Sequence, residues 1–364
     1  MQVKKIIVKK SCKDSRRNVY EIWTNGIADE CGRKRLEVGV KSLEGVRGQE
    51  GYAYALLELI SDLRHFLIER KIATKEILSV QKFWVLETDQ SKPLLMIEDV
   101  KHLGFKTVVE EFPEGLDYEH SVLVISTMAR FHAASYAFRK STKSNWNEKY
   151  PDISSDVEVP KLSMETTQML EDIFEKNIDY AKYSWLFMGP VRGEMEMMNK
   201  KLESFGVLSH GNCITPNMLF RYKKAVDCKQ FCSEVILKDP LNFKYNTCVL
   251  DLLQFIFTSI DPQVRQSFMP DFVCSVYYDN FVKTVCSIDN TIPVFSKKSF
   301  IKEFDQIILY GFLFSVDYHS AHQEQAFNED KTLTYKKNIL AIMRDLIQFK
   351  LNTKVTLNMG ARLK

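Results

Sequence analysis

Residues 205–254 read FGVLSHGNCITPNMLFRYKKAVDCKQFCSEVILKDPLNFKYNTCVLDLLQ, and the rest of the chain is arranged around them. A short apolar run leads into three polar residues, His210, Asn212 and Asn217, and a second apolar run, 235–237, delivers Asp239. That order predicts a loop, a β-hairpin and a carboxylate at a strand end. Phosphoryl transfer needs a group that orients the attacking hydroxyl, and oxygen ligands that hold Mg²⁺ against the phosphates. A loop acid, an Asn shortly after it and a second Asp beyond a hairpin supply those parts. Here the spacing is kept, but the loop acid is replaced by Asn212.

His210-Gly211-Asn212 with Asn217, then Met218-Leu219-Phe220-Arg221-Tyr222, Lys238-Asp239 and Leu250-Asp251-Leu252-Leu253, resembles the ecdysteroid kinase-like (CHK kinase-like) family. That family stands with choline kinases and aminoglycoside phosphotransferases in the protein-kinase-like superfamily. Its usual strings are H-G-D-x-x-x-x-N, D-F-Q and L-D-L-L, and the interval from Asp239 to Asp251 fits its spacing. Two departures matter: Asn212 stands where the family has Asp, and Pro240-Leu241 where it has Phe-Gln.

The resemblance implies an α+β, bilobal protein-kinase-like fold, with a small antiparallel β-rich N-lobe and a larger, mainly helical C-lobe. It implies ATP and Mg²⁺ as cofactors. His210 and Asn212 would fall at the catalytic loop, Asn217 and Asp239 would ligate the metal, and Lys41 would hold the phosphates. Backbone groups of Glu98 and Val100 would meet adenine, and Asp251 would be a buried brace for the loop backbone.

A chain of 364 residues exceeds the usual size of one core. The expected division is an N-lobe at 1–100, a nucleotide-covering sheet with one helix, and a helical C-lobe at 101–364 that carries the hairpin of 205–254. With 45% hydrophobic and 27% charged residues the chain reads as a folded protein, and a net charge of +3 argues against a nucleic-acid surface. The eight cysteines include no C-x-x-C pair; the closest two, Cys228 and Cys232, read as free thiols in a hairpin connection. The opening MQVKKIIVKKSCKDS is too short and too charged in its apolar part for a signal peptide, and no later run has the length of a membrane span. A reduced, cytoplasmic setting without a membrane partner is the expectation.

In the first lobe, alternation at 5–9, 19–23 and 36–41 predicts antiparallel strands, with turns at 24–26 and 31–33. The segment from Cys12 to Asn18 is expected to be the loop over the phosphates; it contains no glycine, so its backbone approaches a phosphate less closely, although Lys13, Arg16 and Arg17 bring positive charge. The string Val38-Gly39-Val40-Lys41 resembles the strand that carries the ATP-binding lysine. A helix at about 52–70 follows, buried through Leu56, Leu57, Ile60, Leu63 and Leu67. The family's acidic partner for the lysine aligns near Tyr52, which leaves Glu50 and Glu58 open as substitutes. Strands at 82–87 and 93–98 complete the lobe.

In the second lobe, Ser121 is expected to cap a central buried helix at 122–139, with His132 packed inside it. A polar loop at 141–160, helices at 163–183 and 193–204, the hairpin at 218–239 and a helix beginning near Asp251 follow. Further helices are expected at 270–284, 297–318 and 333–351. His319 and His322 share a helical face without an evident third metal ligand.

Asn is similar in size to Asp, but it carries no charge and cannot accept a proton. The sequence therefore predicts a degenerate kinase-like protein, a weakly active or inactive pseudokinase binding a nucleotide or a small lipophilic ligand. The alternative is an active ATP-dependent kinase acting on the hydroxyl of an ecdysteroid-like alcohol. The expected partner is a small hydroxyl-bearing molecule and not nucleic acid.

Overall fold

The computed structural model describes residues 6–14, 17–24, 34–42, 49–86, 94–143, 145–150, 153, 160–191, 205–224, 230–324 and 336–350. The chain has an α+β fold and divides into two compact units. Neither unit is a continuous piece of sequence. The first takes Met1–Thr107, Asn145–Ser154 and Asn217–Phe243; the second takes Val108–Ser144, Ser155–Pro216 and Lys244–Lys364.

The first unit is built on β1 (Ile6–Asp14), β2 (Arg17–Thr24), β3 (Lys34–Ser42), β4 (Phe83–Leu86) and β5 (Leu94–Glu98), an antiparallel sheet in the order β1-β2-β3-β5-β4. Most of the segment from Cys12 to Asn18 is strand rather than the expected loop, and 15–16 lie outside the described residues. The ladder runs on through Cys12↔Val19, Lys13↔Asn18 and Asp14↔Arg17 after a register shift between Lys10 and Cys12. Antiparallel pairing satisfies backbone groups that a polar sequence alone had suggested were open. The turns expected at 25–26 and 31–33 lie outside the described residues.

A helix, Gln49–Glu69, packs on this sheet through Ala53, Leu56, Leu59, Ile60, Leu63, Phe66 and Leu67, all buried. Leu57 is only half-buried. The polar stretch expected as a plain loop at 141–160 partly belongs to this unit. It contains a short helix, Trp146–Lys149, and buries Trp146, Tyr150 and Ile153. Lys149 Nζ and Tyr150 Oη reach Asp62 Oδ2 on the long helix at 2.6 and 2.8 Å.

The hairpin Met218–Lys224 with Gln230–Leu237 completes the unit. It is joined to 79–81 by backbone bonds from Gln81 to Leu237 and from Leu237 to Ser79, and to Lys106 by a reciprocal pair with Phe220. Leu219 and Ile236 pack there against Val100 and Phe105. Cys232 sits within the ladder opposite Tyr222 rather than in the connection, because strand pairing extends to Gln230; Cys228 lies outside the described residues.

The second unit is mainly helical. Its helix Tyr118–Thr142 begins one turn before the expected start, because Asp117, not Ser121, is the cap: the Asp117 carboxylate accepts the His120 N–H at 2.9 Å. Fifteen residues of that helix are buried, so it forms the centre of the unit. Met164–Lys176, Ile178–Ala181 and Ser184–Val191 replace the single helix expected at 163–183, and the helix expected at 193–204 lies outside the described residues.

A two-stranded ladder, Gly206–Ser209 with Lys244–Thr247, leads into the helix Cys248–Ser259, capped by Thr247. The tail starts a helix at Pro262, with Asp261 as cap, rather than at Pro270. Pro270 falls inside it and has no N–H to close a turn, and wider π-type turns follow at Phe272–Tyr278 before Asp279–Ile288. Lys297–Glu324 packs closely on Cys248–Ser259, where a Cβ on Gly311 would stand 2.6 Å from the Phe257 ring. A last helix covers 336–350. Among the described residues no helix is long and apolar enough to cross a membrane.

Candidate active site

The helix Cys248–Ser259 is apolar except for a few side chains, among them Asp251, Gln254 and Ser259, three and then five positions apart. Those side chains hold the loop that follows Ser209. Asp251 accepts the N–H of His210 and, at 2.9 Å, the N–H of Gly211. Gln254 Oε1 accepts the N–H of Cys213 at 2.5 Å, and Ser259 Oγ that of Thr215 at 3.0 Å. Gly211, at φ +75°, takes the left-handed turn that brings successive amides onto the same carboxylate. Loop amides therefore find side-chain acceptors, which fixes the loop backbone.

Asp251 is in turn held from the central helix. His132 Nε2 lies 3.0 Å from its Oδ2, His132 Nδ1 lies 2.7 Å from Tyr277 Oη, and the Tyr277 hydroxyl is 3.4 Å from the Cys248 carbonyl. None of these side chains is more than about 2% exposed. Burial opposes ionisation of Asp251, but the His132 hydrogen bond, the charges of His132 and His210 and the Gly211 amide outweigh it, leaving the carboxyl below its ordinary value. Ser135, one turn beyond His132, accepts the Leu208 N–H at 2.9 Å, so the strand before the loop is tied to the same helix.

Within this frame His210 is buried, and its Nδ1 accepts the Asn212 N–H at 3.3 Å. The Asn212 carbonyl accepts the Ile214 N–H, and the residue is half-buried.

In the first unit, Asn217 and Asp239 stand together at the open end of the hairpin. Met218 pairs with Leu237, and the Lys238 N–H donates to the Asn217 carbonyl at 3.0 Å. The extended conformation expected of a residue before proline is not adopted: Asp239 has φ 64° and ψ 63°. Such a backbone costs a non-glycine residue on the order of 1–3 kcal/mol and persists only where surrounding contacts impose it. Asn242 Nδ2 donates to Asp239 Oδ2 at 2.6 Å, and the short turn Pro240–Asn242 follows.

The family is decided by the sequence that carries these elements. The pattern of the "Ecdysteroid kinase-like family" matches residues 58–289, more than half of the chain. The chain belongs to the ecdysteroid kinase-like family. No curated protein sequence matches it. Among solved structures, this ecdysteroid kinase-like chain is similar to a microcompartment-associated aminopropanol kinase at 11% identity, covering 93% of this chain and 90% of that one, with a TM-score of 0.41. It is also similar to the GDP and kanamycin complex of APH(2")-IIia (11% identity, 96% and 95% covered, TM-score 0.37) and to an ethanolamine kinase from Plasmodium vivax (10%, 93% and 82%, 0.32). At those TM-scores nothing further follows from the likeness.

The remaining positions expected at the site of this family member lie in the first unit. Lys41 is in β3, in register with Leu95 of β5. Glu98 ends β5; its N–H is spent on the Lys82 carbonyl at 2.9 Å, and its carbonyl accepts Gln81 Nε2 at 2.7 Å, which leaves one lone pair of that oxygen. Val100 is buried, and its carbonyl accepts the amides of Leu103 and Phe105. Of the acids left open as partners for Lys41, Glu58 is exposed. Tyr52, at the aligned position, instead places its hydroxyl on the carbonyls of Phe243 and, at 3.3 Å, Pro240.

Sequence reasoning missed Gln254, Ser259 and Tyr277, and it marked Tyr52 only as the position where the family's acid aligns, not for its contacts with the 240–243 turn. The polar spacing within an otherwise apolar helix was the available signal for Gln254 and Ser259. No local pattern announces the two tyrosines, whose partners are remote in sequence.

Proposed function

We propose that this ecdysteroid kinase-like protein is a weakly active or inactive pseudokinase, which binds a nucleotide with Mg²⁺ or a small lipophilic ligand and has lost the proton acceptor of its phosphotransfer loop. Asn212 carries the reading. The loop backbone around it is held by Asp251, Gln254 and Ser259. The side chain it holds in place is an amide. A general base contributes roughly 10² to 10⁴ in rate, about 3 to 5.5 kcal/mol of barrier. Phosphoryl transfer depends largely on positioning, so a slow residual rate is the expected upper bound.

The donor chemistry fits a magnesium ion. Among the described residues no group of three or more His, Cys, Asp or Glu side chains forms a protein cage. Mg²⁺ in phosphate sites uses one or two protein oxygens and takes the rest from phosphates and water. Asn217 and Asp239, neighbours at the hairpin end, offer two such oxygens. When bound, the ion would neutralise phosphate charge. Asn217 and Asp239 would fix its position, Lys41 would meet the phosphates, and the backbone of Glu98 and Val100 would meet the adenine edge. The ligand class is a hydroxyl-bearing small molecule in a cytoplasmic setting; neither nucleic acid nor membrane enters the reading.

The test is a thermal-shift titration with ATP, with and without Mg²⁺, followed by ADP release against ecdysteroids and other alcohols. Stabilisation by ATP that grows with Mg²⁺, and ADP release no greater than that of heat-treated protein, are expected. Clear turnover would favour the active alcohol kinase instead. No stabilisation by ATP under either condition would leave only the lipophilic-ligand form of the proposal.

A further inference from the structure

Asp239 holds a left-handed backbone directly before Pro240, a position where steric contact with the proline ring favours extended conformations. Something outside the residue must impose it. Asn242 acts from within the turn, by its side chain on Asp239 Oδ2 and its N–H toward the Asp239 carbonyl at 3.3 Å. The other contact comes from the helix Gln49–Glu69. The Tyr52 hydroxyl donates to the carbonyl of Phe243 and lies 3.3 Å from that of Pro240, spanning the turn from both sides.

The helix is a firm platform for that hydroxyl. Ala53, Leu56, Leu59, Ile60 and Leu63 are buried beneath it, and Asp62 is bonded to Lys149 and Tyr150. Burial, and then the Asp239 charge, keep the Tyr52 phenol protonated, so it stays a donor. Chemistry restricts the position further: a carboxylate there would face two carbonyl oxygens and the Asp239 carboxylate, with no donor among them.

We propose that Tyr52 is a positioning residue for Asp239, its hydroxyl clamping the 240–243 carbonyls and so fixing the strained backbone that presents the carboxylate. The functional half of this inference rests on the reading above, that Asp239 takes the Mg²⁺ of a bound nucleotide. The structural half does not.

The experiment compares the full-length chain with Tyr52→Phe and Tyr52→Glu. Backbone hydrogen exchange at Asn242 and Phe243 is measured without ligand, and ATP affinity with and without Mg²⁺. Tyr52→Phe is expected to speed exchange at those two amides by about tenfold or more while the amides of 56–67 keep wild-type rates. It is also expected to lower the Mg²⁺-dependent gain in ATP affinity by a similar factor, with metal-free ATP affinity unchanged. Tyr52→Glu is expected to lower that gain at least as far.

Unchanged exchange at 242 and 243 in Tyr52→Phe would overturn the clamp, as would a Tyr52→Glu chain that binds Mg·ATP more tightly than wild type. A wild-type chain showing no Mg²⁺ gain would sink the nucleotide reading alone, with exchange still deciding the clamp. If Tyr52→Phe does not fold, the wild-type chain with labelled tyrosine decides. A slowly exchanging Tyr52 hydroxyl proton with an NOE to Phe243 is expected, and its absence would overturn the proposal.

Discussion

The His132 imidazole lies 3.0 Å from the Asp251 carboxylate, and that carboxylate receives the amides of His210 and Gly211. The central helix therefore reaches the loop through one fully buried hydrogen-bonded pair. Removing one member leaves the other without its partner in the interior, which typically costs about 3–5 kcal/mol. His132→Leu is expected to lower the unfolding free energy by that amount in urea titrations. Tyr277→Phe deprives His132 Nδ1 and the Cys248 carbonyl of that hydroxyl and should cost about 1–3 kcal/mol. Equal losses for the two variants would show that the pair is not the principal link.

The same pair sets an acid dependence. Asp251 has its folded value below the ordinary 3.8, so its contribution is complete above that value and drains away as pH falls through the lower, folded one. Unfolding free energy should decline with acidification below about pH 4, and Asp251→Asn should flatten that decline while lowering stability at neutral pH. An unchanged slope in the variant would assign the acid dependence to other carboxylates.

Asp62 tests the segment at 145–153 as a brace on the long helix. Burial works against its ionisation, but hydrogen bonds from Lys149 and Tyr150 and the charges of Lys149 and His65 outweigh it, so its carboxyl lies below the usual value. The groups are well exposed, with side chains 36% and 43% accessible at Asp62 and Lys149, and water screens the pair. Asp62→Ala should therefore cost only about 1 kcal/mol in all, from a weak ion pair and one hydrogen bond to Tyr150. The diagnostic result is faster hydrogen exchange at 146–150, and wild-type protection there would remove the brace.

Much of this was legible in the sequence, for reasons that differ by element. The loop and hairpin could be read because polar residues interrupt apolar runs, Asp251 because Leu250-Asp251-Leu252-Leu253 resembles the family's string, and the helix 49–69 because its apolar face repeats. Most of the segment from Cys12 to Asn18 was misread as a loop, since polarity does not reveal that a neighbouring strand satisfies its backbone. Ser121 looked like a cap because Asp117 lies one turn further out, beyond the apolar run. The Asp239 backbone could not be foreseen: Pro240 argues locally for an extended residue, and the contacts that override it come from Asn242 and, 188 or more positions away, from Tyr52.

Arg265 and Asp345 make a second buried pair, 2.7 Å apart, with both side chains 3% exposed or less. It fastens the last helix, 336–350, to the helix Pro262–Asp271. Arg344 adds a second contact to Asp345 at 2.9 Å. Asp345→Leu alone strands the buried Arg265 and should lose about 3–5 kcal/mol, and Arg265→Met should lose less because Arg344 still pairs with Asp345, whereas the double variant, which leaves no buried charge unpaired, should lie within about 1–2 kcal/mol of wild type. Additive losses in the double variant would mean that the pair contributes packing rather than compensation.

Asn212→Asp restores a proton acceptor on a loop whose backbone is already anchored by Asp251, Gln254 and Ser259. The substitution changes one amide group to a carboxylate at a half-buried position, so it should fold with little loss. If the missing base is the main lesion, ADP release with a suitable alcohol should rise at least tenfold, conservative beside the roughly 10² to 10⁴ a general base supplies. Asp239→Ala placed on top of it should cancel the gain, because a proton acceptor is of no use where the phosphates are not held. A restored acid with no rise in rate, in protein that still binds Mg·ATP, would move the lesion to Pro240-Leu241 and to the Tyr52 position of the helix.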